Sequence, residues 1–382
     1  MNILIPALAI KKSGGATRHL RNFLSAAGRI DTENRYIVCV NKDFKLNIKN
    51  EKVEVLPFDV TSKFFRFYWD QFEIRKLVRK FKIDLILSLL NFGCINPPVK
   101  QLNFQRGPTP FCRNYLKTLG FKERIDISIR RRLLYMTMKA SEVIVTPSKT
   151  MRDMIREFYS DIKESKFKVL HHAFDKEKFL HSNLLPEDVV KKLNDIEPDT
   201  VKILYVSHLI PYKGYDIMIK AAKRLKELKK SFKFIVTMER SDWPEGYDRY
   251  LSLIERFGLH KHFLVFNRVP EDTVAELYKQ CDIFLFPSWC ESFGFPMVEA
   301  MSLGLPVVAA GTPVNKEICG NGALYYDPSD PHEAAEKIRI TMEDGELREK
   351  LRRDGFLQIE NSHSGWDDYT RKCLSLFQEV MC

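Results

Sequence analysis

A chain of 382 residues, 45% of them hydrophobic, is longer than one core usually supports and apolar enough to bury two, so two domains are expected. No stretch approaches the roughly 18 uninterrupted apolar residues that cross a bilayer, which excludes a spanning helix and predicts a protein that is soluble or lies on a surface. Charge divides unevenly, with 35 Lys and Arg against 18 Asp and Glu in residues 1–180 and 26 against 32 in the remainder; the first half is basic enough to face nucleic acid, a membrane surface or a phosphorylated substrate, or simply to stay soluble.

In chain order, the opening run Ile3–Ala9 is followed, not preceded, by Lys11 and Lys12, the reverse of a secretory signal, and reads as a buried first strand. Tyr36–Val40, Val53–Leu56, Leu85–Leu89, Gln101–Phe104, Val143–Thr146 and Phe167–Leu170 read as further strands with helical patterns between them. Continuously apolar strands imply a sheet covered on both faces, the parallel α/β arrangement. Residues 186–200 are polar with little periodicity, and the domain boundary is expected near there. The pattern then restarts as strand Ile203–Val206, helix Tyr215–Leu228, strand Phe232–Val236, helix Tyr247–Phe257, strand Leu264–Phe266, helix Thr273–Gln280, strand Ile283–Phe286, helix Met297–Ser302 and strand Val307–Ala309. Helices His332–Thr341 and Glu346–Ile359 and an amphipathic segment from Trp366 to Val380 close the chain. The eight cysteines are scattered without a C-x-x-C pair, which suits a reducing cytoplasm and predicts no structural metal.

The segment PSWCESFGFPMVEAMSLGLPVVAAG, Pro287 to Gly311, runs from the end of an apolar strand through a loop carrying Glu291, Ser292, Phe293 and Gly294 into a helix bearing Glu299. Ligands of open parallel sheets bind beyond the carboxyl ends of strands, where helix N-termini offer unpaired N–H groups. This loop is placed to hold an anionic or hydroxyl-rich ligand, and Glu299 to accept hydrogen bonds from vicinal hydroxyls. In YVSHLIPYKGYDIMIKAA, Tyr205 to Ala222, a strand ends at Ser207 and Lys213-Gly214 immediately precede a helix, so that the lysine can reach a diphosphate and stabilise charge that grows as a leaving group departs.

The E-x7-E of ESFGFPMVE followed by EAMSLGLPVV resembles the signature of the retaining glycosyltransferases of family 4, which have the GT-B fold. The resemblance implies two Rossmann-like parallel-sheet domains facing across a cleft: residues 1–180 on the acceptor side, 181–362 binding the nucleotide-sugar donor, and a C-terminal helix, 363–382, crossing back to the first domain. It implies that Glu291 contacts the donor sugar, that Ser292, Phe293, Gly294 and Phe295 contact sugar hydroxyls and phosphate, and that Glu299 holds the ribose. Lys213 matches the family's Lys-Gly position at the diphosphate, whereas His208 stands where Arg is common. Histidine is cationic only near or below a pKa of about 6.5, so diphosphate binding leans on Lys213, and His208 is either a phosphate contact or a neutral residue at a strand end.

The first loop, Lys11-Lys12-Ser13-Gly14-Gly15, matches the family's Gly-rich loop facing the donor, though such a turn alone most often only relieves strain. In LNFQRGPTPFC, Leu102 to Cys112, Gln105 and Arg106 replace the histidine that many family members place near the reacting carbon; they are acceptor-side candidates, in a pattern similar to that of members that build surface polysaccharides. Arg268 and Val269 fall where family members border the base. Two basic segments, 64–82 and 121–139, mix Lys and Arg with large apolar residues at helical spacing; they suit an interfacial helix on anionic lipid and equally an ordinary amphipathic helix. No recognition motif for nucleic acid accompanies the charge, so no nucleic-acid partner is expected.

The expected reaction is transfer with retention from a nucleotide sugar to a glycan or lipid-linked acceptor, in polysaccharide or glycolipid synthesis. The enzyme is expected to be cytoplasmic, either free or peripheral at the cytoplasmic face of a membrane. The departing phosphate would take the acceptor proton, in preference to a double displacement through Glu291. No D-x-D triplet occurs, so neither metal nor cofactor is expected. A GT-B nucleotide-sugar epimerase and a non-catalytic nucleotide-sugar-binding subunit are the alternatives. A Rossmann dehydrogenase is disfavoured, because the first loop lacks G-x-G-x-x-G and Cys39-Val40-Asn41 stands where an acidic residue would close the second strand.

Overall fold

A computed structural model describes residues 1–10, 15–46, 48, 50–60, 62–181, 183–270, 272–362 and 364–382. The chain divides into two compact units, 1–173 with 364–382, and 174–363. The first holds a seven-stranded sheet in the order β3-β2-β1-β4-β5-β6-β7, all neighbours parallel. Its strands are β1 (Asn2–Pro6), β2 (Arg35–Asn41), β3 (Val53–Phe58), β4 (Leu85–Ser88), β5 (Lys100–Phe104), β6 (Val143–Thr146) and β7 (Phe167–Val169). Side chains alternate across the pleat, so Ile3 and Ile5 enter one layer with Phe23 while Leu4 enters the other with Ile37 and Trp69. Both layers are covered, which is why these strands read as unbroken apolar runs. Helix Trp366–Met381 belongs to this unit and buries Trp366, Tyr369, Cys373 and Phe377 against helix Gly15–Ile30 and the sheet.

The second unit has a six-stranded parallel sheet in the order β10-β9-β8-β11-β12-β13. Here β8 is Val201–Val206, β9 Phe232–Thr237, β10 Phe263–Phe266, β11 Ile283–Phe286, β12 Val307–Ala310 and β13 Ala323–Tyr326. The order reverses between β8 and β11, and in open α/β sheets that reversal leaves a crevice at the strands' carboxyl ends.

Several features depart from the sequence expectation. Strand β13 is an addition to the strands expected from the sequence. The polar stretch 186–200 contains helix Glu187–Asn194, whose stripe is only Val189 and Leu193, and helix Pro313–Cys319 starts on the Thr312 hydroxyl, which accepts from Asn315 N–H at 3.2 Å. The units divide before Phe174, earlier than residue 180, since Phe174 and Phe179 pack into the second core. The basic segment 64–82 folds as helices Lys63–Tyr68 and Ile74–Phe81 joined by a π-helical turn, Trp69–Glu73, whereas Phe121–Lys139 is one helix. No helix of the described residues is long and apolar enough to cross a membrane.

Candidate active site

The loops that follow β8 and β11 meet at the sheet's reversal point. Gly214, at φ +71°, lies so close to the β11 loop that a Cβ there would stand 2.1 Å from the carbonyl oxygen of Pro287. Trp289 N–H donates to the carbonyl of Tyr212 at 3.1 Å, and the Tyr205 hydroxyl donates to the carbonyl of Lys213 at 2.6 Å. These contacts fix where the Lys213 side chain emerges. Its ammonium donates to Glu291 Oε1 at 2.5 Å, and the buried Ser288 hydroxyl donates to the same oxygen at 2.6 Å. Both charged side chains are largely withdrawn from water, 14% exposed for Lys213 and 12% for Glu291, so their attraction is screened less than that of a surface pair. Among the described residues Glu291 Oε2 makes no hydrogen bond, which leaves one carboxylate oxygen for a ligand.

Gly294 begins helix Phe295–Ser302 in a left-handed conformation, φ +93°, and a Cβ there would meet Met297 Cε at 2.5 Å. The turn directs residues 292–295 past the strand end, with Phe293 buried and its ring 5.2 Å from that of Phe295. Glu299 lies in the second turn, 4% exposed, and accepts from the Tyr278 hydroxyl at 3.1 Å. The structure therefore brings Lys213, Glu291, residues 292–295 and Glu299 together on adjoining loops and one helix.

Other residues singled out from the sequence are placed differently. His208 is 58% exposed with Nδ1 3.3 Å from Asp242 Oδ2; a neutral ring that donates through Nδ1–H keeps Nε2 as an acceptor, so it can donate to a phosphate only when protonated. Arg268 is engaged by Glu239 at 3.0 Å and Asp242 at 2.9 Å, and Val269 packs partly buried on the core. Gly15 belongs to the first unit; it opens helix Gly15–Ile30, and none of the described residues lies within 4 Å of where a Cβ would project. Lys11, Lys12, Ser13 and Gly14 lie outside the described residues. Gln105 is fully buried, its amide donating to Asn91 O at 2.7 Å and Asn103 Oδ1 at 2.6 Å, so it shapes the loop and offers no exposed surface to an acceptor.

The family models for glycosyl transferases group 1 and for Glycosyltransferase Family 4 match residues 187–357 and 13–178. The chain belongs to the family 4 glycosyltransferases. It is 24% identical over 248 residues to the D-inositol 3-phosphate glycosyltransferase of Corynebacterium glutamicum (strain R), covering 63% of this chain and 58% of that one. To the O-antigen chain mannosyltransferase B of Escherichia coli it is 26% identical over 180 residues, 44% of this chain and 47% of the other. The chain thus spans about half the length of these curated relatives. Its fold is similar to that of HepE from Anabaena, solved in complex with UDP and glucose, with a TM-score of 0.75 at 17% identity over 98% of this chain and 99% of that one. Two parallel-sheet Rossmann-like units on one chain make this a GT-B fold.

In this family 4 member, Asp242 is the group that sequence reasoning missed. Its carboxylate also accepts from Leu209 N–H at 3.1 Å, so one side chain ties the loops after β8, β9 and β10. Nothing in the chain pattern marks it, because its partners lie far away in sequence. Ser288 and Tyr278 are likewise readable only as strand-end and helix residues.

Replacing Gly214 with alanine adds a left-handed penalty of about 1–2 kcal/mol to a clash with Pro287. Gly214→Ala is expected to lose at least about 2 kcal/mol of stability in urea unfolding.

Proposed function

We propose that this chain is a retaining glycosyltransferase that binds a nucleoside-diphosphate sugar at the reversal point of its second sheet. It passes the sugar to a glycan or lipid-linked acceptor in polysaccharide or glycolipid assembly. The observation that carries the reading is the largely buried Lys213–Glu291 pair, with the buried Glu299 on the helix that follows. Lys213 turns to the diphosphate and offsets the charge that builds on the leaving group. Glu291 accepts from sugar hydroxyls, residues 292–295 approach the phosphate and sugar with their backbone, and Glu299 accepts from the ribose. His208 assists at the phosphate when protonated, and Arg268 with Val269 borders the base. The sugar is transferred by same-face attack, with the phosphate taking the acceptor proton, and not through a covalent Glu291 intermediate. No metal takes part.

The printed name of one relative, an O-antigen chain mannosyltransferase, supports transfer to a surface glycan, while that of another, a D-inositol 3-phosphate glycosyltransferase, names a small phosphorylated compound. Association with the cytoplasmic face of an anionic membrane is supported by helix Phe121–Lys139. There Phe121, Ile125 and Ile129 are 79%, 47% and 58% exposed at a spacing of one turn, with Lys122, Arg124 and Arg132 beside them.

A nucleotide sugar at 100 times its dissociation constant should stabilise the wild type by about 2.7 kcal/mol in a thermal-shift screen, and Glu299→Ala should show no such response. Donor turnover is expected to persist in EDTA; loss on chelation with recovery on adding Mn²⁺ would overturn metal independence. Vesicles containing anionic lipid should sediment the wild type and leave Phe121→Ser/Ile125→Ser/Ile129→Ser in solution, and equal sedimentation of the two would remove the membrane reading.

A further inference from the structure

The first unit contains a buried cationic cluster for which no role follows from the donor site. Arg106 leaves β5 on a loop whose backbone is pinned by Asn91: the amide N–H groups of Arg106 and Gly107 donate to Asn91 Oδ1 at 2.6 and 2.9 Å. Its guanidinium makes no hydrogen bond or ion pair among the described residues, and Nη1 is closed off from solvent, although the residue as a whole keeps part of its surface exposed. Its neighbours are His19, His172 and Tyr369, all buried, with Arg18 adding positive charge on His172. The His19 ring lies 5.7 Å from that of His172, and its Nε2 is 2.9 Å from the Tyr369 hydroxyl, while its Nδ1 is buried with no partner among the described residues.

Among the described residues, no carboxylate is one of the groups whose charge is felt at Arg106, His19 or His172. The acids of the adjoining helix are committed elsewhere, Asp367 to Arg29, Asp368 to Lys372 and Glu379 to Lys168. Burial pushes the Arg106 guanidinium down to about 10, Tyr369 opposing, which still leaves it charged at neutral pH. Burial first, and then the Arg106 charge, hold both histidines well below their ordinary values, hence neutral. A lone guanidinium kept this dry is unfavourable until an anion reaches it. Its planar fork matches two phosphate oxygens, and the unpartnered Nδ1 of His19 can donate to a third.

We propose that Arg106, with His19 and His172 beside it, forms an anion site in the first unit that takes a phosphate group. The proposal rests on the glycosyltransferase reading only for the source of that phosphate, the acceptor, and it deepens the place of Arg106 on the acceptor side. Arg106 keeps part of its own surface exposed, and that is the side from which an anion reaches it. Gln105, behind the loop, keeps Oε1 buried and unpartnered and acts through position only.

The test is titration calorimetry with inorganic phosphate and with octyl phosphate, on wild type, Arg106→Met, Arg106→Lys and Lys213→Ala. The wild type should bind phosphate, Arg106→Met should not, and Arg106→Lys, which keeps the charge and loses the fork, should bind about tenfold more weakly. Lys213→Ala, which removes the lysine assigned to the donor diphosphate, should keep phosphate binding that depends on Arg106. Tighter binding of octyl phosphate than of inorganic phosphate assigns the anion to an acceptor with an apolar chain, and equal affinity assigns it to free phosphate. The proposal fails if Arg106→Met or Arg106→Lys binds like the wild type, if the wild type binds no phosphate, or if Lys213→Ala is the variant that loses it. Should Arg106→Met not fold, the Arg106→Lys comparison decides. UDP titrated in parallel keeps the readings separate: absence of nucleotide binding with Arg106-dependent phosphate binding sinks the donor site alone.

Discussion

The approach of the Gly214 backbone to the Pro287 carbonyl is the constraint on which the chemistry of the second unit depends. It requires a residue without a side chain, in a conformation other residues resist, at the point where two loops from neighbouring strands converge. Because the loops touch backbone to backbone, Lys213 and Glu291 project from a rigid seam and not from two independent tips. Asn315 extends the seam, its amide donating to the carbonyls of Ser288 at 3.2 Å and Ala310 at 2.9 Å, so β12 is tied in as well. Positioning of this kind lets charged groups face a ligand without the reorganisation that flexible side chains need.

The part of this arrangement legible in the sequence is the part written in contiguous residues. Apolar runs mark twelve of the strands because both sheets are covered on both faces, and Lys213-Gly214 and the E-x7-E string mark the seam because each sits within a few residues of a strand end. What is not legible is encoded across the chain. Asp242 joins Leu209, His208 and Arg268, and Asn91 shapes the loop of Gln105 and Arg106, in both cases from another strand's end. The weak helix Glu187–Asn194 exists because its two buried residues find a core, a tertiary effect that local pattern could not supply.

The two units use charge in opposite ways. In the second, Lys213 and Glu291 satisfy one another within the chain. In the first, Arg106 is isolated while His19 and His172 are held neutral by burial and by its field. The first-unit cluster is assembled from four parts of the chain: helix Gly15–Ile30, the loop after β5, the segment after β7 that supplies His172, and the returning helix Trp366–Met381 that supplies Tyr369. That helix is therefore part of the polar architecture of the unit as well as of its core.

The Lys213–Glu291 pair gives the second unit a cation that already carries its own counter-ion. On the donor reading proposed above, an anion that took Lys213 would leave Glu291 Oε1 with the Ser288 hydroxyl alone, and a ligand hydroxyl would be the group to replace the lost ammonium. Recognition of an anionic and a hydroxyl-bearing end of one ligand would then be coupled through a single ion pair.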